Sequence, residues 1–126
     1  MSISDGNALM GQRVLIIEDE SMVAMLIEDT LEEMGCVVAG LAPRFDEALR
    51  KAGTLVFDVA LLDVNLNGRS SFPIADVLIG RGLPFVFATG YNAGSLPEYL
   101  RLMPVLQKPF HQQDLERALR TALGVA

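Results

Sequence analysis

The chain has 126 residues, which is room for one domain of ordinary size and not two. Hydrophobic residues make up 51% and charged residues 21%, enough apolar surface for a core and too little charge for a disordered chain. The net charge of −6 argues against direct nucleic-acid binding, and the single cysteine, Cys36, excludes an internal disulfide or a thiolate metal site and suits a reducing cytoplasm.

Residues 1–12 are polar and aperiodic and read as a frayed tail with no signal-peptide pattern. No apolar run approaches the roughly 18–20 residues of a membrane span. Val14-Leu15-Ile16-Ile17 is continuously apolar, as in a strand buried on both faces. Glu18, Asp19 and Glu20 follow it, and an amphipathic helix then runs to Glu33 with Gly35 as its stop. Met22 and Met25 lie at helical spacing on it and, with Met34, are expected to fill core, while an exposed Met could help dock a kinase.

The alternation repeats down the chain. Residues 36–42 read as a strand that Cys36 opens as inert packing, and 43–52 as a helix with Phe45, Ala48 and Leu49 inward. Arg44, Arg50 and Lys51 form its solvated face. Residues 57–62 read as a strand, with a turn at Asn67-Gly68. Residues 71–80 form a helix that tolerates Pro73 in its first turn, and 84–88 a strand closed by Thr89-Gly90. Residues 92–101 are the weakest helix, interrupted by Gly94 and Pro97. Leu96, Tyr99, Leu102 and Met103 around it divide between core and a partner surface. Val105-Leu106 is a brief strand, and 111–123 a helix with Leu115, Ala118, Leu119 and Ala122 on one face and His111, the one histidine, at its start.

Continuously apolar strands alternating with helices predict an α/β fold, a doubly wound parallel sheet with helices on both faces. Such a sheet aligns the strand C-termini along one rim, where ligands bind. Glu18 and Asp19 follow the first strand, Asp63 the third, Thr89 the fourth and Lys108-Pro109 the fifth. Singly, each has an ordinary role in capping, turns or solvation; jointly they converge on one volume. Three carboxylates there repel one another, and a hard divalent cation such as Mg²⁺ resolves the conflict, with the carbonyl of Asn65 as a further oxygen. One carboxylate can then attack phosphorus, with Mg²⁺ and Lys108 neutralising the phosphoryl oxygens and Thr89 donating to one of them. Gly90 leaves a way in for a donor imidazole or a water.

Residues 14–20 (VLIIEDE), 58–68 (DVALLDVNLNG), 84–91 (PFVFATGY) and 106–110 (LQKPF) resemble a response-regulator receiver domain over most of the chain. The resemblance implies a domain at 13–124 of the flavodoxin-like receiver type, with five parallel strands in the order 2-1-3-4-5. It implies that Asp63 is the phosphoacceptor, Asp19 a direct metal ligand, Glu18 a ligand through water, Asn65 the carbonyl ligand, Thr89 the switch hydroxyl and Lys108 the invariant lysine. It also implies a cis Lys108-Pro109 bond. Val105 stands where many receivers carry a switching aromatic, and Tyr91 is the candidate to replace that ring or to screen the phosphoryl group. The Phe-Ala-Thr-Gly stretch resembles a subgroup of stand-alone receivers, many of them associated with HWE-type histidine kinases.

The expected protein is thus a single-domain cytoplasmic response regulator, a monomer or weak dimer. It would accept a phosphoryl group with Mg²⁺ from a histidine kinase or phosphotransfer protein, act on an unknown downstream protein, and touch neither nucleic acid nor membrane. It would be no enzyme beyond assisting its own phosphorylation and dephosphorylation. Two alternatives stand beside it: a metal-dependent phosphohydrolase of a related fold, opposed by Asn65 where a second aspartate is wanted, and a receiver-like module that binds unphosphorylated.

Overall fold

The structure, a computed structural model, describes residues 8–90 and 96–125. Five parallel strands form the main sheet: β1 (Arg13–Ile17), β2 (Val37–Leu41), β3 (Val59–Asp63), β6 (Phe85–Thr89) and β7 (Val105–Gln107), in the order β2-β1-β3-β6-β7. This is the expected order, with two short strands numbered in between. Those two, β4 (Asn65–Leu66) and β5 (Arg69–Ser70), make an antiparallel hairpin that the sequence marked only as a turn. Its two loop residues, Asn67 at φ 52° and Gly68 at φ 83°, are both left-handed, the backbone that a two-residue hairpin turn requires.

The strands are continuously apolar because alternate side chains enter two separate cores. Leu15, Ile17, Ala60, Leu62, Phe85 and Phe87 face α2 (Phe45–Thr54) and α3 (Phe72–Gly80). Val14, Ile16, Val59, Leu61, Val86 and Ala88 face α1 (Ser21–Glu33) and α4 (Gln112–Leu123). Pro73 lies in the first turn of α3, where a missing N–H costs nothing.

Several expectations are corrected here. Met22 and Met25 do not fill core; they are 77% and 57% exposed, because α1 turns Ala24, Ile27 and Leu31 toward the sheet. Met34 does pack against the core as expected. Leu9, placed in the tail by its polar surroundings, is buried beneath α1's end. It is fixed there by Gly11 N–H donating to Gly35 O (2.8 Å) and Cys36 Sγ donating to Leu9 O (3.4 Å). Gly35 is left-handed (φ 84°), and a side-chain carbon there would come within 2.9 Å of Met10 Sδ.

Of the weak helix expected at 92–101, the described part from Leu96 holds one 3-10 turn, Glu98–Leu100, begun by Pro97. Leu96 and Leu100 are buried while Tyr99 and Leu102 are exposed, so the apolar set divides between core and surface. The Tyr99 hydroxyl donates to Asp76 Oδ1 on α3 at 2.7 Å. Tyr91 lies outside the described residues. Among the described residues, no helix is long and apolar enough to cross a membrane.

Candidate phosphoacceptor site

The parallel sheet carries the expected site residues, at the ends of four strands, to one rim. Glu18 and Asp19 follow β1, Asp63 is the last residue of β3, Thr89 the last of β6, and Lys108 comes directly after β7. Register holds them level: Asp63 pairs with Ala88, Thr89 pairs with Gln107, and Lys108 N–H donates to Thr89 O at 2.8 Å. The Lys108-Pro109 peptide bond is cis.

Lys108 is the electrostatic centre. Its ammonium donates to Glu18 Oε1 at 2.6 Å and to Asp63 Oδ2 at 2.9 Å. The other oxygens are held by backbone: Glu20 N–H donates to Glu18 Oε2 (3.1 Å), and Asn65 N–H to Asp63 Oδ1 (3.2 Å). Asn67 N–H, at the hairpin tip, donates to Asp19 Oδ2 (2.9 Å). Glu18, Asp63 and Thr89 are buried, Asp19 half-buried and Glu20 exposed.

Burial decides the proton affinity of Glu18. Burial pushes its carboxyl up to about 7, even though Lys108 and the Glu20 amide pull the other way. Burial also works against the Lys108 ammonium, but its bonds to Glu18 and Asp63 outweigh that and hold it above the ordinary lysine range.

A cleft of about 550 Å³ opens over the rim, lined by Asp19, Glu20, Asp63, Asn65, Gly68, Gly90 and Lys108. Among the described residues, a side-chain carbon added at Gly90 would meet no atom within 4 Å. Gly90, Glu20 and Lys108 also border a second, apolar cleft of about 560 Å³ with Val23, Leu26, Ile27 and Phe110. Val105, three residues before the lysine, packs partly buried against the core under α2 and α3.

The donor set suits a hard cation. Ligand oxygens of Glu18, Asp19 and Glu20 lie within 4.8 Å of one another, Asp63 lines a cleft with Asp19 and Glu20, and the Lys108 ammonium pairs with Glu18 and Asp63. An all-oxygen set with surplus negative charge fits Mg²⁺ and lacks the nitrogen or sulfur ligands a softer metal prefers.

The sequence argument did not place Glu20 and Asn67 in the site. Glu20 carried a signal in its adjacency to the acid pair; Asn67 acts through its backbone and had only its turn pattern to show. His111, as expected, begins α4, where its N–H donates to Asp114 Oδ2 at 3.2 Å. Cys36 is buried, and burial raises its thiol pKa, so it stays a packed, protonated group.

A family model for the response regulator receiver domain matches residues 14–120. The chain belongs to that family. Its members are two-component signalling domains rather than enzymes with an external substrate. The chain is 31% identical over 125 residues to the transcriptional regulatory protein PdtaR of Mycobacterium tuberculosis, a match covering 96% of this chain and 61% of PdtaR. It therefore spans about three fifths of the length of that curated relative. Among solved structures, SdrG from Sphingomonas melonis Fr1 is 41% identical with a TM-score of 0.80, covering 94% of this chain and 99% of SdrG. The BeF3-activated conformation of SdrG from Pseudomonas melonis Fr1 gives 40% identity and a TM-score of 0.76, covering 88% of this chain and 95% of that one.

Proposed function

We propose that this receiver domain accepts a phosphoryl group on Asp63 from the phosphohistidine of a histidine kinase or phosphotransfer protein and signals by contact with another protein. The observation that carries the reading is Asp63 itself: a rim carboxylate with one oxygen on Lys108 and one on the Asn65 amide, opening into a cleft of further acids. In the transfer, an Asp63 oxygen bonds to phosphorus as the donor's phosphorus–nitrogen bond breaks. The departing imidazole takes up a proton and leaves neutral.

Asp19, Asp63 and the Asn65 carbonyl would hold magnesium, with Glu18 acting through water. When bound, magnesium neutralises charge on the phosphoryl oxygens and relieves the repulsion among the carboxylates. Lys108 can then turn from the carboxylates to the incoming oxygens, and Thr89 donates its hydroxyl to one of them. Movement of Thr89 and of the segment after β6 shifts a pre-existing equilibrium between two surface states. Tyr91 and Val105 take part by access and packing.

Met22, Met25 and Leu26 form an exposed apolar strip on α1, and Leu26 also lines the apolar cleft beside the rim. This strip suits a phosphodonor protein that must bring its imidazole past Gly90. The reading places the protein in the cytoplasm, as a monomer or weak dimer.

Phosphorylation with phosphoramidate and Mg²⁺, read by intact-mass spectrometry, tests the reading. One phosphoryl group on the wild type and none on Asp63→Asn is the expected result. An equally labelled Asp63→Asn protein would overturn it. Because SdrG has a BeF3-activated conformation, beryllofluoride with Mg²⁺ is the matching probe for the activated state here.

A further inference from the structure

The chain has ten lysine and arginine side chains. All but three are engaged internally. Arg13, Lys51, Lys108, Arg117 and Arg120 pair with carboxylates. Arg81 donates to the Ala52 and Leu55 carbonyls, and Arg101 to that of Leu96. The remaining guanidinium groups, those of Arg44, Arg50 and Arg69, make no hydrogen bond or ion pair among the described residues, and all three line one cleft.

That cleft, of about 780 Å³, lies between the β4–β5 hairpin and the first turns of α2. Its apolar surface is Pro43 and Phe45, over a fully buried Leu66. The Arg69 guanidinium stacks on the Phe45 ring at 3.7 Å from the centroid, which fixes its plane and leaves its N–H edges free. Arg44 occupies the N-cap of α2 without a side-chain cap bond, so the positive end of the helix opens toward the same space. Two acids also line the cleft, but Glu47 is committed to Lys51 at 3.1 Å. Positive charge thus gathers at one place on a chain of net charge −6.

We propose that this cleft is a docking surface for an acidic segment of a partner protein, with carboxylates on the free guanidinium edges and an apolar side chain against Pro43 and Phe45. Arginine forks match carboxylates in bidentate geometry, and charge complementarity here favours speed and selectivity over tight binding. A nucleic acid fits less well. Arg69 covers a face of Phe45 that a base would stack on, and three arginines are few for tracking a phosphate backbone. The surface lies on the α2 side, away from the Met22–Leu26 strip, so phosphodonor and acidic segment can bind together. The proposal stands on this cleft alone and not on the phosphoryl-accepting reading.

NMR titration of the full ¹⁵N-labelled chain with a glutamate-rich peptide carrying one central leucine tests it. Amide shifts confined to the hairpin and the start of α2 are expected, with affinity falling as salt rises. Arg50→Gln with Arg69→Gln should weaken binding about tenfold while phosphoramidate labelling stays at the wild-type level. Arg44→Gln alone, the milder change, gives the same direction if the double variant folds poorly.

Absence of binding, shifts centred elsewhere, or equal affinity in the variants would overturn the proposal. Tighter binding of oligothymidylate at the same residues would reassign the cleft to nucleic acid. Self-association of the chain that the same variants abolish would reassign it to a second copy.

Discussion

The backbone N–H of Asn67, at the tip of the hairpin, donates to Asp19 Oδ2 at 2.9 Å and so ties the loop after Asp63 to the acid pair after β1. Asn67 sits at φ 52°, a conformation that glycine accepts and β-branched residues resist. Asn67→Gly should therefore keep the turn, the bond and wild-type Mg²⁺ affinity by calorimetry. Asn67→Val should lose several-fold in affinity and about 1–2 kcal/mol in stability. Equal Mg²⁺ affinity in the two variants would show that the tether does not orient Asp19.

Lys108 answers two buried carboxylates at once. Lys108→Met leaves Glu18 and Asp63 facing each other without a counter-charge. Metal-free stability by urea denaturation should fall by roughly 1–3 kcal/mol, less than for a fully buried pair because the ammonium is partly exposed. Added Mg²⁺ should restore much of that loss, while phosphorylation from phosphoramidate stays impaired. A variant as stable as wild type without metal would contradict the ion-pair geometry.

The raised pKa of Glu18 gives a pH dependence of definite sign. The folded protein holds this proton up to about pH 7, whereas an unfolded glutamate releases it near 4.5. The native state thus binds more protons in that window, and the metal-free protein should lose stability as pH rises from about 4.5 to 7. The fall should be on the order of 1–3 kcal/mol. Glu18→Gln should flatten the curve in EDTA. Stability that rises across the window, with the Glu18→Gln curve parallel to wild type, would refute the assignment.

Met22 and Leu26 are 77% and 65% exposed, so changing them removes no core. Met22→Asp with Leu26→Asp should leave the melting temperature and phosphoramidate labelling unchanged. Phosphotransfer from a cognate phosphohistidine protein should slow at least tenfold, on the scale of a lost apolar anchor. Equal slowing with phosphoramidate would place the defect in the site rather than in docking.

The strand ends were legible because a strand buried on both faces reads as an unbroken apolar run, and Ile17, Leu62 and Ala88 each stop at a polar residue. The inward side of α1 was not. Met22, Met25 and Leu26 form one apolar stripe and Ala24, Ile27 and Leu31 another, and only the sheet decides which is covered. The hairpin escaped notice because Asn65–Leu66 and Arg69–Ser70 are too short and polar to alternate. Val105, by contrast, could be placed at its position from the spacing to Lys108 alone.

Leu9 belongs to the folded unit. The apparent boundary at Arg13 would discard a leucine that is 3% exposed and the Gly11 amide that satisfies the Gly35 carbonyl. A fragment cut at that point would start with a void under the end of α1, an effect of roughly 3 kcal/mol by comparison with buried leucine deletions. Shortened versions of this protein should keep residue 8 onward, or their instability will be mistaken for a property of the signalling site.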